Sequence, residues 1–136
     1  PLFLPDPPMP STPTATILLV EDDESVSGMV NLALGCAGYR VLLATTGPEA
    51  LALWQHHRDE ISLLLTDYVM PDGMSGRDLA NRLLADRPEL PVLYMSGYSQ
   101  EIAGRELSPL HMAHFLSKPF DLATLHQAVR AALGKT

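Results

Sequence analysis

The chain has 136 residues, 46% of them hydrophobic and 6% aromatic, which suits one domain around a single core. Its net charge of −7 argues against nucleic-acid binding by this segment and fits a metal cation or a basic partner surface. The lone cysteine, Cys36, leaves no internal disulfide or cysteine-built zinc site, and no apolar run approaches the ~18 residues of a membrane span.

Residues 1–14, PLFLPDPPMPSTPT, hold six of the twelve prolines and no period, so an extended linker is expected there and a folded domain over 15–136. Ile17 to Val20 is a short apolar, β-branched run that reads as a first strand. Val26, Met29, Val30, Ala33 and Ala37 then recur at helical spacing and are closed by Gly38, with Cys36 expected to pack late in that helix. Tyr39 to Leu43 is the second strand, followed by a helix from Pro48 to His57 in which Pro48 suits the first turn. Trp54 is expected to be partly buried there. Leu63 to Thr66 is the third strand, apolar on both faces as a central strand must be. The next helix begins near Gly76, with Ser75 and Asp78 at capping-box spacing. Pro91 to Met95 is the fourth strand, with a helix expected over 99–106, and His114 to Leu116 is the fifth. Asp121 caps a last helix carrying Leu122, Leu125, Val129 and Leu133. Five strand-then-helix units predict an α/β fold, a parallel sheet with helices on both faces.

The polar residues that follow the strands fall in a pattern. Glu21-Asp22-Asp23 follows the first strand, Asp67 the third, Ser96-Gly97 the fourth and Lys118-Pro119 the fifth. In a doubly wound sheet these ends share one edge, where ligands bind. Several carboxylates in one crevice repel one another, and a hard cation such as Mg²⁺, which takes oxygen ligands, relieves that repulsion. A carboxylate, a cation, an ammonium and a small hydroxyl are the parts for transferring a phosphoryl group, with Asp67 as the central candidate nucleophile. Taken singly, each piece is more often a cap or a turn. Their joint order carries the functional reading.

ILLVEDDE, LLLTDYVMPDGMSG, VLYMSGY and FLSKPF, in this order from Thr16 to Leu133, resemble the response-regulator receiver domain of two-component signalling. The resemblance implies a flavodoxin-like (βα)5 three-layer sandwich with strand order 2-1-3-4-5. It makes Asp67 the phospho-acceptor, aided by Lys118 and by Ser96 at the Ser/Thr switch position. Glu21, Asp22, Asp67 and the backbone carbonyl of Val69 would hold Mg²⁺ (Mn²⁺ as the alternative), with Asp22 the more direct ligand of the acidic pair and Asp23 a helix N-terminal residue. Phe115 takes the aromatic switch position, and the Lys118-Pro119 bond is implied to be cis. Phosphorylation would draw Ser96 inward and let Phe115 follow, altering the face made by the helix over 99–106, the fifth strand and the last helix.

The resemblance further implies a histidine kinase or histidine phosphotransfer domain as partner and a monomer or weak dimer, while charge and hydropathy lead us to expect no nucleic acid or membrane contact by this segment. The setting is the bacterial cytoplasm, with a parent kinase that can be membrane-anchored. Such a module catalyses its own phosphorylation and dephosphorylation without being a turnover enzyme. LFLP resembles the last strand of a histidine-kinase ATP-binding domain, which favours the C-terminal receiver of a hybrid sensor kinase over a free-standing regulator or phosphorelay intermediate. Two rivals remain: an Asp-nucleophile phosphatase, which would want an acid where Val69 stands, and a receiver serving only as an interaction module. None of His56, His57, His111, His114 or His126 joins the strand-end residues, and scattered methionines such as Met70 and Met74 suit packing.

Val69 and Tyr98 lie two residues beyond Asp67 and Ser96, where the family controls water access to the acyl phosphate, and neither side chain can orient a water. Self-dephosphorylation is therefore expected to be slow, and Val69→Asn plus Tyr98→Glu to shorten the phosphoryl half-life. A half-life unchanged by the pair of substitutions contradicts this.

Overall fold

A computed structural model describes residues 15–68, 74–96 and 114–134. In chain order these form β1(Thr16–Val20), α1(Glu24–Cys36), β2(Arg40–Ala44), α2(Gly47–His57), β3(Ile61–Asp67), α3(Gly76–Asp86), β4(Val92–Ser96), β5(His114–Ser117) and a last helix, here α4(Leu122–Ala132). The five strands are parallel and ordered β2-β1-β3-β4-β5, as the sequence led us to expect. The helix expected over 99–106 and the linker over 1–14 lie outside the described residues.

The helix starts follow local chemistry. Asp23, Thr46, Ser75 and Asp121 are the N-caps, each side chain accepting a backbone N–H of the first turn. Ser75 and Asp78 form a reciprocal capping box. Gly38, just past α1, has φ 96°, a conformation that a side chain disfavours. β3 runs from Ile61 to Asp67, longer than its apolar run suggests, because it pairs with β1 from Thr16↔Ile61 and with β4 through Asp67↔Met95.

Alternation along the strands sends side chains to two cores. Leu18, Val20, Leu64 and Tyr94 pack with Ala50 and Trp54 of α2 and Leu79 and Leu83 of α3. Ile17, Leu19, Leu63, Leu65 and Met95 pack with Val30 and Leu34 of α1 and Leu125 and Val129 of α4. The result is a three-layer sandwich whose central strand is buried on both faces.

Two packing expectations are corrected. Cys36 is exposed, because the last turn of α1 rotates it away from the sheet. Trp54 is more buried than a helix-surface tryptophan would be, at 5% exposure. Its indole N–H donates to Asp86 Oδ2 at 2.9 Å, and the Arg87 guanidinium lies 5.6 Å from the ring centroid. Arg58 also reaches Asp86, at 3.2 Å, while Arg87 donates to the carbonyls of Arg58 and Ile61 at 2.6 and 2.7 Å. These bonds tie α2 and α3 together at the amino end of β3.

The two-core architecture makes a paired prediction. Leu18 is fully buried whereas Leu32, on the outer face of α1, is 70% exposed. Leu18→Ala should cost about 3 kcal/mol and Leu32→Ala under about 0.5 kcal/mol in urea unfolding. Equal losses would mean that the core is not where it is placed here.

Candidate functional site

Parallel pairing brings the carboxyl ends of four strands side by side. Val20 of β1 is in register with Thr66 of β3, Asp67 of β3 with Met95 of β4, and Ser96 of β4 with Ser117 of β5. Glu21, Asp67, Ser96 and Lys118, separated by up to 97 positions in sequence, therefore meet on one edge.

Glu21 is 1% exposed, and both of its carboxylate oxygens are engaged. Oε1 accepts from Lys118 Nζ at 2.7 Å and Oε2 from the Asp23 backbone N–H at 3.0 Å. Lys118 Nζ lies 3.5 Å from Asp67 Oδ1, so the ammonium stands between the two acids and closer to Glu21. Asp22 is exposed, and one carboxylate oxygen from each of Glu21, Asp22 and Asp67 lies within 4.8 Å of the others. Asp23 faces away from this cluster, its Oδ1 accepting from the Ser25 N–H at 2.9 Å as the cap of α1.

Electrostatics mark Asp67. Burial, followed by the nearby Glu21 charge, pushes its carboxyl from 3.8 up to about 6, and Lys118 only partly offsets this. For Lys118, burial disfavours the ammonium, but the hydrogen bond and charge of Glu21, together with Asp67, hold it above the ordinary lysine range. Burial raises Asp67 and opposes the rise of Lys118, while the surplus of negative charge raises both. An all-oxygen donor set with uncompensated negative charge fits a hard divalent cation, which would neutralise Asp67 more fully than Lys118 does.

The backbone around Asp67 is held from several directions. The Tyr68 N–H donates to Met95 O at 2.8 Å, and the Gly76 N–H donates to Tyr68 O at 2.9 Å. The Thr66 hydroxyl donates to the Asp67 carbonyl at 3.0 Å. Ser96 is buried at the end of β4, where its carbonyl accepts from the Lys118 N–H at 2.8 Å, and the Lys118-Pro119 bond is cis. Tyr68 and Tyr94 meet edge to face at 5.4 Å, and half-buried Phe115, paired with Tyr94 across β4 and β5, packs on the same cluster. Phe115 thus adjoins a tyrosine pair that starts at the residue after Asp67.

Of the residues singled out in the sequence, Glu21, Asp22, Asp67 and Lys118 come together directly, and Ser96 and Phe115 occupy the adjoining strand positions. Val69 and Tyr98 lie outside the described residues, as do Met70 and His111. His57 pairs instead with Glu60 at 3.2 Å, and among the described residues no histidine enters the acidic cluster. Thr66 entered the sequence expectations only as the end of the third strand, although a hydroxyl beside Asp67 closing an apolar run was a visible signal; the structure buries it fully. Gly76 entered them only as a helix start.

Comparison with known proteins gives this fold a family. Residues 17–130 match the family model of the response regulator receiver domain. The chain is 35% identical over 122 residues to the sensor kinase CckA of Brucella abortus, covering 90% of this chain but only 13% of that protein. It is also 35% identical over 117 residues to the response regulator receiver protein CpdR of the same organism, covering 86% of this chain and 95% of CpdR. The chemotaxis protein CheY4 of Vibrio cholerae superposes with a TM-score of 0.78 at 28% identity, over 87% of this chain and 98% of that one. With its fold, its acidic edge and these matches in agreement, the chain belongs to the response regulator receiver domain family of two-component signalling.

Proposed function

We propose that this receiver takes a phosphoryl group from a phosphohistidine onto Asp67. The observation that carries the reading is the placement of the Asp67 carboxylate 3.5 Å from Lys118 Nζ and within 4.8 Å of oxygens of Glu21 and Asp22. An Asp67 oxygen attacks phosphorus, the bond from phosphorus to the donor nitrogen breaks, and the imidazole leaves with the electron pair. Lys118 pairs with a phosphoryl oxygen, and the Ser96 hydroxyl donates to another. Asp22 and Asp67, with Glu21 behind them, would hold Mg²⁺ (or Mn²⁺), and the Val69 carbonyl is the further ligand that the family resemblance implies. The ion supplies positive charge against the phosphoryl oxygens.

The added charge on Asp67 is then sensed through Ser96 and Phe115, and the face beside β5 and α4 serves as the output surface. The donor is a histidine kinase or a histidine phosphotransfer domain. We place the domain at 15–136 behind a linker over 1–14, within a cytoplasmic portion of a hybrid sensor kinase, a context supported by the CckA match and the LFLP lead-in. The extent of the CpdR match supports a free-standing regulator as the second reading.

Two experiments test the site. Incubation with Mg²⁺ and acetyl phosphate, followed by intact mass, should give a hydroxylamine-labile adduct on the wild type and none on Asp67→Asn. An adduct that survives in Asp67→Asn moves the acceptor elsewhere.

The second is a pH experiment. The folded-state pKa of Asp67 is raised, so the metal-free native state binds the extra proton between about 4 and 6, and its stability falls as pH rises through that window. Above it, ionised Asp67 costs on the order of 3 kcal/mol, a penalty absent below the unfolded-state pKa. Metal-free Asp67→Asn should therefore melt above the wild type at pH 7.5, with the difference closing near pH 4. Mg²⁺ should raise the wild-type Tm at pH 7.5 and lose that effect as protons displace it below about pH 6. A Tm difference that is flat with pH would refute the assignment.

A further inference from the structure

We propose that Thr66 and Gly76 are positioning residues: together they clamp the backbone carbonyl of Asp67 and so fix the aim of its carboxylate. The proposal rests on Asp67 being the acceptor. Thr66 is fully buried, on the face of β3 that carries Leu64 and Tyr68 toward α3. Its hydroxyl spends its donor on the Asp67 carbonyl at 3.0 Å, a local bond that orients the peptide carrying the acceptor.

Gly76 closes on the same carbonyl. A Cβ there would run into Asp67 O, lie 2.9 Å from the Asp67 carbonyl carbon and 3.1 Å from Tyr68 Cα. All three neighbours are backbone atoms, which cannot swing aside. Gly76 is not among the residues with positive φ, so a glycine is needed at this position for space and not for conformational freedom. Without a side chain, the first turn of α3 docks closely enough for the Gly76 N–H to donate to Tyr68 O at 2.9 Å. The Tyr68 N–H is meanwhile held by Met95 O at 2.8 Å.

Asp67 thus sits at the last paired position of β3 with its own carbonyl held by a hydroxyl and abutted by a helix. Near-attack alignment is sensitive to shifts of about 1 Å. The clamp makes such alignment a property of the free protein, so the donor need not impose it.

The test compares Thr66→Val, Thr66→Ser and Gly76→Ala with the wild type, each well below its own Tm. The rate of Asp67 phosphorylation by acetyl phosphate is measured at saturating Mg²⁺ across donor concentrations. Thr66→Val and Gly76→Ala should lower the saturating rate constant by about tenfold or more with donor half-saturation nearly unchanged, and Thr66→Ser should stay within about twofold. Amide hydrogen exchange should quicken at Tyr68 and Gly76 in Thr66→Val, while Leu18 and Leu64 keep their protection. Thr66→Val decides the matter if Gly76→Ala does not fold, since it keeps the shape and removes only the hydroxyl.

A folded Thr66→Val that reacts at the wild-type rate overturns the clamp and leaves Asp67 as acceptor. So does exchange that quickens evenly along β3, which marks a purely structural role. A wild type that takes no phosphoryl group overturns both.

Discussion

The ammonium of Lys118 stands between two nearly dry carboxylates, and most features of the site follow from that one crowding of charge. Glu21 takes the shorter contact, at 2.7 Å, and Asp67 the longer, at 3.5 Å. Burial and the neighbouring Glu21 charge hold the Asp67 pKa at about 6, and one cation shared between two acids offsets this only in part. Removing one partner of a buried pair typically costs about 3–5 kcal/mol, because the other charge is left stranded. The pocket is stable enough to persist, yet still short of positive charge.

The rest of the fold serves to hold that imbalance in place. A parallel sheet puts every strand's carboxyl end on one edge, and two separate cores fix the height of each strand in the sandwich. Glu21 can be buried because its backbone N–H is bonded to Ala44 O at 3.1 Å and its second oxygen to Asp23. Asp23 in turn caps α1. The acidic run after β1 thus divides its labour among a buried anchor, an exposed ligand candidate and a helix cap.

Much of this was legible in the residues. Short apolar runs, caps such as Ser75 and Asp121, and the glycine after α1 mark the described elements to within a residue or two, because each is a local steric or hydrogen-bond requirement. The convergence of Glu21, Asp67, Ser96 and Lys118 was legible through topology: once the units are parallel, the order of the chain dictates the neighbours. What could not be read is pairwise detail. Nothing in EDD says that Glu21, not Asp22, takes the lysine, since that depends on which side chain the strand end turns inward. Nor does periodicity show Cys36 facing solvent, because α1 offers its last turn to either side. The grip on the Asp67 carbonyl is a matter of separations near 3 Å, set by how closely α3 docks.

One consequence concerns the chain's only tryptophan. Trp54 is sealed among Asp86, Arg58 and Arg87 at the amino end of β3, whereas Asp67 occupies the carboxyl end of the same strand. Its emission is a natural gauge of whether α2 and α3 remain docked, with the length of the strand between it and the chemistry. Optical unfolding curves of site variants can therefore be read as folding data, free of a direct contribution from ions or phosphate at the far edge.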